Sequence, residues 1–190
     1  GGLRFTTDRK SFDNYPSWAF IAGQGLWKQG TINQEWQKFT GRFNATWTPT
    51  LEFTDQSLFY ASYARGYKGG GANPPGVISN PTAISGVTFD SPSNLTHPLT
   101  FKPEFVNAYE VGTKNTLLDG SLTVNASAFF YDYKNYQISE IVDRTSVNLN
   151  FDATVKGLEM EATWEPLPGL RFNMAGGLED GVLAKGSQAI

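Results

Sequence analysis

Cysteine is absent from this chain of 190 residues, which excludes disulfide frameworks, thiolate metal sites and cysteine nucleophiles together. Histidine is nearly absent: His97 stands alone, in Thr96-His97-Pro98. A Ser-His-Asp triad would have to be built on it, and a solvated loop histidine is the simpler reading. There is no excess of positive charge either. The formal net charge is -3, so the basic footprint of a nucleic-acid-binding surface is missing and no nucleic acid partner is expected. No run of about 18 apolar residues occurs, which excludes a transmembrane helix and leaves a transmembrane strand possible. The opening Gly1-Gly2-Leu3-Arg4-Phe5 shows no initiator methionine, charged n-region or apolar h-region, and the chain is expected to be an internal excerpt.

What is present is aromatic and turn-rich. Aromatic residues reach 14% although hydrophobic residues total only 39%, so rings carry the apolar mass. Glycine (20) and proline (10) punctuate segments of Val, Thr, Tyr and Phe, which predicts an all-β chain. The clearest period-2 segment is 122–133, where Leu122, Val124, Ala126, Ala128 and Phe130 share one face and Thr123, Asn125, Ser127, Phe129 and Tyr131 the other. From Lys156 to Trp164 an apolar face of Leu158, Met160, Ala162 and Trp164 opposes a face bearing Glu159 and Glu161. Glu165-Pro166-Leu167-Pro168-Gly169 then turns into a strand with Leu170, Phe172 and Met174 on one face. Val106 to Thr116 alternates likewise and turns at Leu118-Asp119-Gly120 into the strand from Leu122. Strands over 57–67, 38–48 and the opening residues bring the expected total to about seven; a single helical turn would fit within 33–39.

Link lengths alternate. Short links follow Trp47, Thr116 and Trp164; long ones are expected over 11–37, 68–103 and 139–153. Short turns at one end of a sheet and long loops at the other are the habit of outer-membrane barrels. Period-2 alternation alone does not choose between such a barrel and a soluble β-sandwich, because both have one apolar face. Trp47, Trp164, Tyr63 and Tyr109 near the strand ends fit aromatic girdles, and Glu159, Glu161, Arg171, Glu110, Lys114 and Arg42 fit a polar lumen. Seven membrane strands would not close a wall, and open edges in hydrocarbon leave backbone groups unpaired, so further strands are expected outside the excerpt.

Three patterns have bland readings. Glu159 with Glu161 share a strand face, and a lumen face explains them better than a calcium or cationic-ligand site. Gly69-Gly70-Gly71 follows a strand and opens a Pro/Asn-rich stretch rather than a helix, so it reads as a loop hinge and not a phosphate loop. Asn44-Ala45-Thr46, Asn94-Leu95-Thr96 and Asn125-Ala126-Ser127 match a glycosylation pattern, two of them inside expected strands, as chance would allow.

An ordered series of stretches carries a family resemblance. It begins with Gly2-Leu3-Arg4-Phe5-Thr6 and Phe39-Thr40-Gly41-Arg42-Phe43 and continues with the run from Tyr60 through Ala64-Arg65-Gly66-Tyr67-Lys68 to Gly71. It goes on through Phe101-Lys102-Pro103-Glu104, Asn107 to Lys114 (with Tyr109-Glu110-Val111-Gly112) and Phe129 to Gln137, and closes with Val155-Lys156-Gly157-Leu158-Glu159-Met160-Glu161. In this order the series resembles the barrel of TonB-dependent outer-membrane receptors. The resemblance implies an antiparallel up-and-down transmembrane β-barrel of about 22 strands with a plugged lumen, of which residues 1–190 form part of one barrel domain. The plug domain and the remaining strands are expected outside the excerpt. It implies a bacterial outer-membrane location among lipid, no enzymatic activity and no cofactor. It further implies uptake of a scarce ligand such as an iron siderophore or cobalamin, driven by the TonB complex through the plug. Ligand contacts are expected at the external strand ends and long loops, at Arg65, Tyr67 and Lys68, with Glu159 and Glu161 as further candidates. The alternatives are a diffusion porin or other structural barrel and a soluble carbohydrate-binding β-sandwich.

Overall fold

The computed structural model describes residues 1–14, 30–74, 98–142 and 145–184. Period-2 segments without helical periodicity become strands: β1 (Gly2–Asn14), β2 (Gly30–Trp47), β3 (Gln56–Lys68), β4 (Gly71–Ala72), β5 (Thr100–Phe101), β6 (Glu104–Leu117), β7 (Leu122–Val142), β8 (Thr145–Leu167) and β9 (Leu170–Leu183). Seven of them form one sheet in the order β1-β2-β3-β6-β7-β8-β9, every pair antiparallel. β1 and β9 are its outer strands, so the sheet is an open arc. β4 and β5 pair separately within the link between β3 and β6.

The turns follow from local chemistry. Pro168 and Gly169 join β8 to β9, with Gly169 at φ +85°, the geometry a type II turn asks of its third residue. Leu118, Asp119 and Gly120 all take positive φ between β6 and β7, and Ser121 closes the turn by donating its backbone N–H to the Leu118 carbonyl at 3.1 Å. Both lie at the end of the sheet where β2 also turns, through 48–55, toward β3.

Two expectations are corrected at the opposite end. The region 139–153 is not a long loop: β7 and β8 stay paired up to Val142↔Thr145, with one irregularity between Tyr133 and Tyr136. Alternation persists in β8 but its phase is inverted, Val147, Leu149, Phe151 and Ala153 against Asn148, Asn150 and Asp152, and the asparagines carry the signature of a loop while the backbone ladder continues. The stretch 33–39 is strand rather than helical turn, in register with β1 from Asn33↔Ser11 to Phe39↔Phe5, and it shortens the first long link to 15–29. Burial is unlike that of a sandwich. Among the described residues the only buried hydrophobic ones are Val147, Leu149 and Ala153, on the extended part of β8, and none of the described residues forms a second layer over the apolar face.

Candidate functional site

Register converts the sequence pattern into two continuous surfaces. On one lie Leu3 and Phe5 of β1, Phe39, Phe43 and Trp47 of β2, Phe59 and Tyr63 of β3, Tyr109 and Val111 of β6, Ala126 and Phe130 of β7, Leu158, Met160 and Trp164 of β8, and Phe172, Met174 and Leu178 of β9. These large apolar side chains are exposed rather than packed; Leu3 is 84% exposed, Trp47 66% and Leu178 75%. Along β2 the apolar face runs from Trp47 to Phe39 and then changes to Gln37 and Glu35; along β8 it runs from Trp164 to Leu158 and changes to Lys156. Each apolar stretch is about seven to nine residues, close to the ~9–11 of a tilted membrane strand. Rings mark both edges. Trp47 meets Phe59 at 5.7 Å and Trp164 meets Phe172 at 5.9 Å at the turn end, whereas Tyr63 meets Tyr109 at 5.1 Å on the loop side, next to Arg65 and Asn107. The two tyrosines thus lie at the loop-side edge of the band rather than at the ends of their strands.

The other surface is polar, with the buried Asn125 Oδ1 lacking a hydrogen-bond partner. Tyr60 donates to Glu110 at 2.6 Å, and its ring lies over Gly112, where a Cβ would meet it at 2.6 Å. Phe129 covers Gly157 in the same way. Glu159 and Glu161 line a cleft of about 200 Å³ with Tyr60, Glu110, Lys114, Asn125 and Ser127. Among the described residues no group of three metal-ligating side chains forms there.

At the loop side a set of polar side chains fastens both ends of the link between β3 and β6. Asn73 is 1% exposed and behaves like a strand partner: it accepts from the Asn148 backbone N–H at 2.7 Å and donates to the Asn148 carbonyl at 3.0 Å. Asn150 accepts from the Lys102 N–H at 2.6 Å and donates to the Lys102 carbonyl at 3.0 Å and the Asn135 carbonyl at 2.8 Å. Gln137 donates to the carbonyls of Gly69 and Lys102, and Lys10 to that of Gly70 at 2.7 Å. Asn135 sits in the β7 irregularity at φ +54° and donates its N–H to Asp152 at 3.0 Å. That hydrogen bond first, and Lys134 second, hold the Asp152 carboxyl below its usual range.

The five residues expected from sequence do not form one site. Arg65 projects on the apolar face with Tyr63, its guanidinium over the Phe105 ring at 4.9 Å. The Tyr67 hydroxyl is buried near Asp8, and burial, then that carboxylate, raises the phenol above its ordinary value. Lys68 is exposed at the end of β3, opposite Glu104. Glu159 and Glu161 lie lower, within the polar face. Gly69 and Gly70, expected as a loop hinge, are closely packed: a side chain at Gly69 would collide with Asp8, and one at Gly70 with the Phe101 carbonyl and Trp36, and Gly71 already belongs to β4. His97 and most of the 69–103 link lie outside the described residues. Sequence reading missed Asn73, Asn150 and Gln137; asparagines beside Pro74 or in Asn148-Leu149-Asn150 carry the signature of a loop, and only the register shows what they clasp.

A family model described as the TonB dependent receptor-like β-barrel matches residues 1–183. Among solved structures, the ferric yersiniabactin uptake receptor FyuA from Yersinia pestis is similar in fold, with a TM-score of 0.65 at 22% identity. That match covers 97% of this chain and 24% of the receptor, so the chain spans about a quarter of the length of the protein it resembles.

Proposed function

Because this chain belongs to the TonB-dependent receptor-like β-barrel family, we propose that it is part of the wall of an outer-membrane importer that takes up a scarce ligand, such as a ferric siderophore or cobalamin, with energy from the TonB complex. The observation that carries the reading is the exposed apolar band, bounded by aromatic rings on both sides and by Glu35, Arg65, Lys156 and Asp180 beyond it on the loop side. In water such a surface is a large unburied liability; against acyl chains it is the required one. The polar face then lines a lumen that a plug domain outside this chain fills. The similar FyuA is a ferric yersiniabactin uptake receptor, which supports an iron chelate as the ligand class.

In this reading Lys68, Tyr67 and the Asn73/Asn150 clasp set the external loop against the ligand path, and Glu159 and Glu161 belong to the lumen wall. The test uses the full-length gene product with its own signal sequence. Outer-membrane fractionation should yield a band whose gel mobility shifts on boiling, and accumulation of a cognate ferric chelate should stop in cells lacking TonB. Uptake indifferent to TonB would make the protein a diffusion pore, and a soluble product would overturn the membrane reading.

A further inference from the structure

The polar face carries its two signs of charge in different places. On β1 and β2 it presents Arg4, opposite Thr40, and Arg42, opposite Gly2 on one side and Ala64 of β3 on the other. Residues diagonal to each other across an antiparallel pair lie about 7–8 Å apart, so the two arginines are neighbours. Both are exposed, and Gly2, Thr40 and Ala64 around them are small. The same face turns negative on β6 and β8, at Glu110, Glu159 and Glu161, two to four strands further along the sheet or about 10–19 Å away.

The ion pairs among the described residues lie elsewhere. Arg9 is paired with Glu35 at 3.0 Å, Lys134 with Asp132 and Asp152 at 3.2 and 3.3 Å, Lys156 with Asp180 at 3.4 Å and Arg171 with Glu165 at 3.4 Å. Among the described residues the one carboxylate on the polar face of β1 and β2 is Asp8, which meets Tyr67 and lies against Gly69. Arg4 and Arg42 are thus adjacent like charges without a counter-charge, and their mutual repulsion grows wherever water is displaced from around them. Their depth says what displaces it. Arg4 lies between Leu3 and Phe5 and Arg42 between Gly41 and Phe43, so both stand within the height of the apolar band rather than at the loop side.

We propose that Arg4 and Arg42 hold carboxylates of the domain that fills the lumen, a segment of the same polypeptide outside this chain, and that this contact fixes which side of that domain faces β1 and β2. Each guanidinium can donate two parallel N–H bonds to a carboxylate, and the floor of small side chains lets the partner backbone approach closely. A filler that meets both walls carries acidic groups toward β1 and β2 and basic groups toward β6 and β8. The inference rests on the importer reading, in which the lumen is filled at this depth. Its failure is distinguishable from the failure of that reading, because a heat-modifiable barrel whose filling domain ignores Arg4 and Arg42 would remain.

The test uses the full-length receptor in outer membranes. A photoreactive benzophenone amino acid in place of Thr40, with both arginines intact, should crosslink to a segment containing Asp or Glu, identified by mass spectrometry. Cleavage of that segment by protease in urea too dilute to abolish the gel shift on boiling should then accelerate about tenfold or more in Arg42→Glu, the order expected when a buried charge pair loses one partner. Arg42→Lys should fall between, and replacing the mapped carboxylate by lysine in the Arg42→Glu background should restore slow cleavage. Arg9→Gln, which removes a cation outside the lumen, should leave the rate unchanged. A crosslink only to segments without Asp or Glu would overturn the proposal. Cleavage rates that are the same in wild type and in the Arg4→Gln/Arg42→Gln double variant would overturn it too, including the case in which that variant loses only uptake of a ferric chelate.

Discussion

At the scale of single residues, two glycines do similar work at different cost. A Cβ at Gly112 would meet only the far end of the Tyr60 side chain, which can swing away if it gives up its bond to Glu110. A Cβ at Gly157 would meet the Phe129 ring and also the Leu178 carbonyl, which belongs to the paired backbone of β9. Overpacking costs about 1–3 kcal/mol; Gly157→Ala should fall at the upper end and Gly112→Ala at the lower, measured as the shift in urea midpoint for loss of the fast-migrating folded form. Asp152 is the residue whose ionisation matters at the loop side. Its carboxyl is held below the ordinary range by the Asn135 N–H and Lys134, so the stability it contributes is present above the unfolded carboxylate pKa and is lost as pH falls through the depressed folded value. The protection of the Asn135 amide, taken as its exchange rate relative to the intrinsic rate at the same pH, should therefore fall on acidification below about pH 4, and Asp152→Asn should remove most of that dependence.

At the scale of elements, the sequence revealed strands wherever one face is apolar and the other polar. β8 from Lys156 to Trp164, β7 from Leu122 and the β8–β9 turn at Pro168-Gly169 were all legible for that reason. The upper half of β8 was not, because the apolar phase inverts, from Leu158, Met160 and Trp164 to Val147 and Leu149 on the opposite face, and the intervening Asn148 and Asn150 read as loop residues. Tyr63 and Tyr109 were readable as edge aromatics, but only the register placed them side by side. The loop clasp was illegible because it joins residues as far apart as Asn73 and Asn148 through side chains imitating a backbone ladder. Losing it should free the link without unfolding the sheet. Asn73→Ala removes its hydrogen bonds to Pro98 and Asn148, each worth about 0.5–1.5 kcal/mol. Proteolysis between residues 74 and 98 should accelerate severalfold while the boiling shift of the barrel is unchanged.

At the scale of the whole molecule, the decisive property is which surface meets lipid. Charge placed on the apolar face near the middle of the band should oppose assembly by about 2–4 kcal/mol, whereas the same charge one residue along the strand should be tolerated. Met160→Arg is thus expected to lower the yield of folded barrel sharply, and Glu161→Arg to leave it near the wild-type level, as read from the unboiled gel. The most direct measurement exploits the absence of cysteine from this chain. Single cysteines at successive positions from 158 to 164 of the full-length receptor in membranes would carry a nitroxide label, with collision rates measured for lipid-soluble oxygen and for a water-soluble nickel chelate. Oxygen should dominate at Leu158, Met160 and Ala162 and fall at Glu159, Glu161 and Thr163, a two-residue alternation down the strand. Uniform exposure to the nickel chelate, or an alternation of opposite phase, would contradict the account.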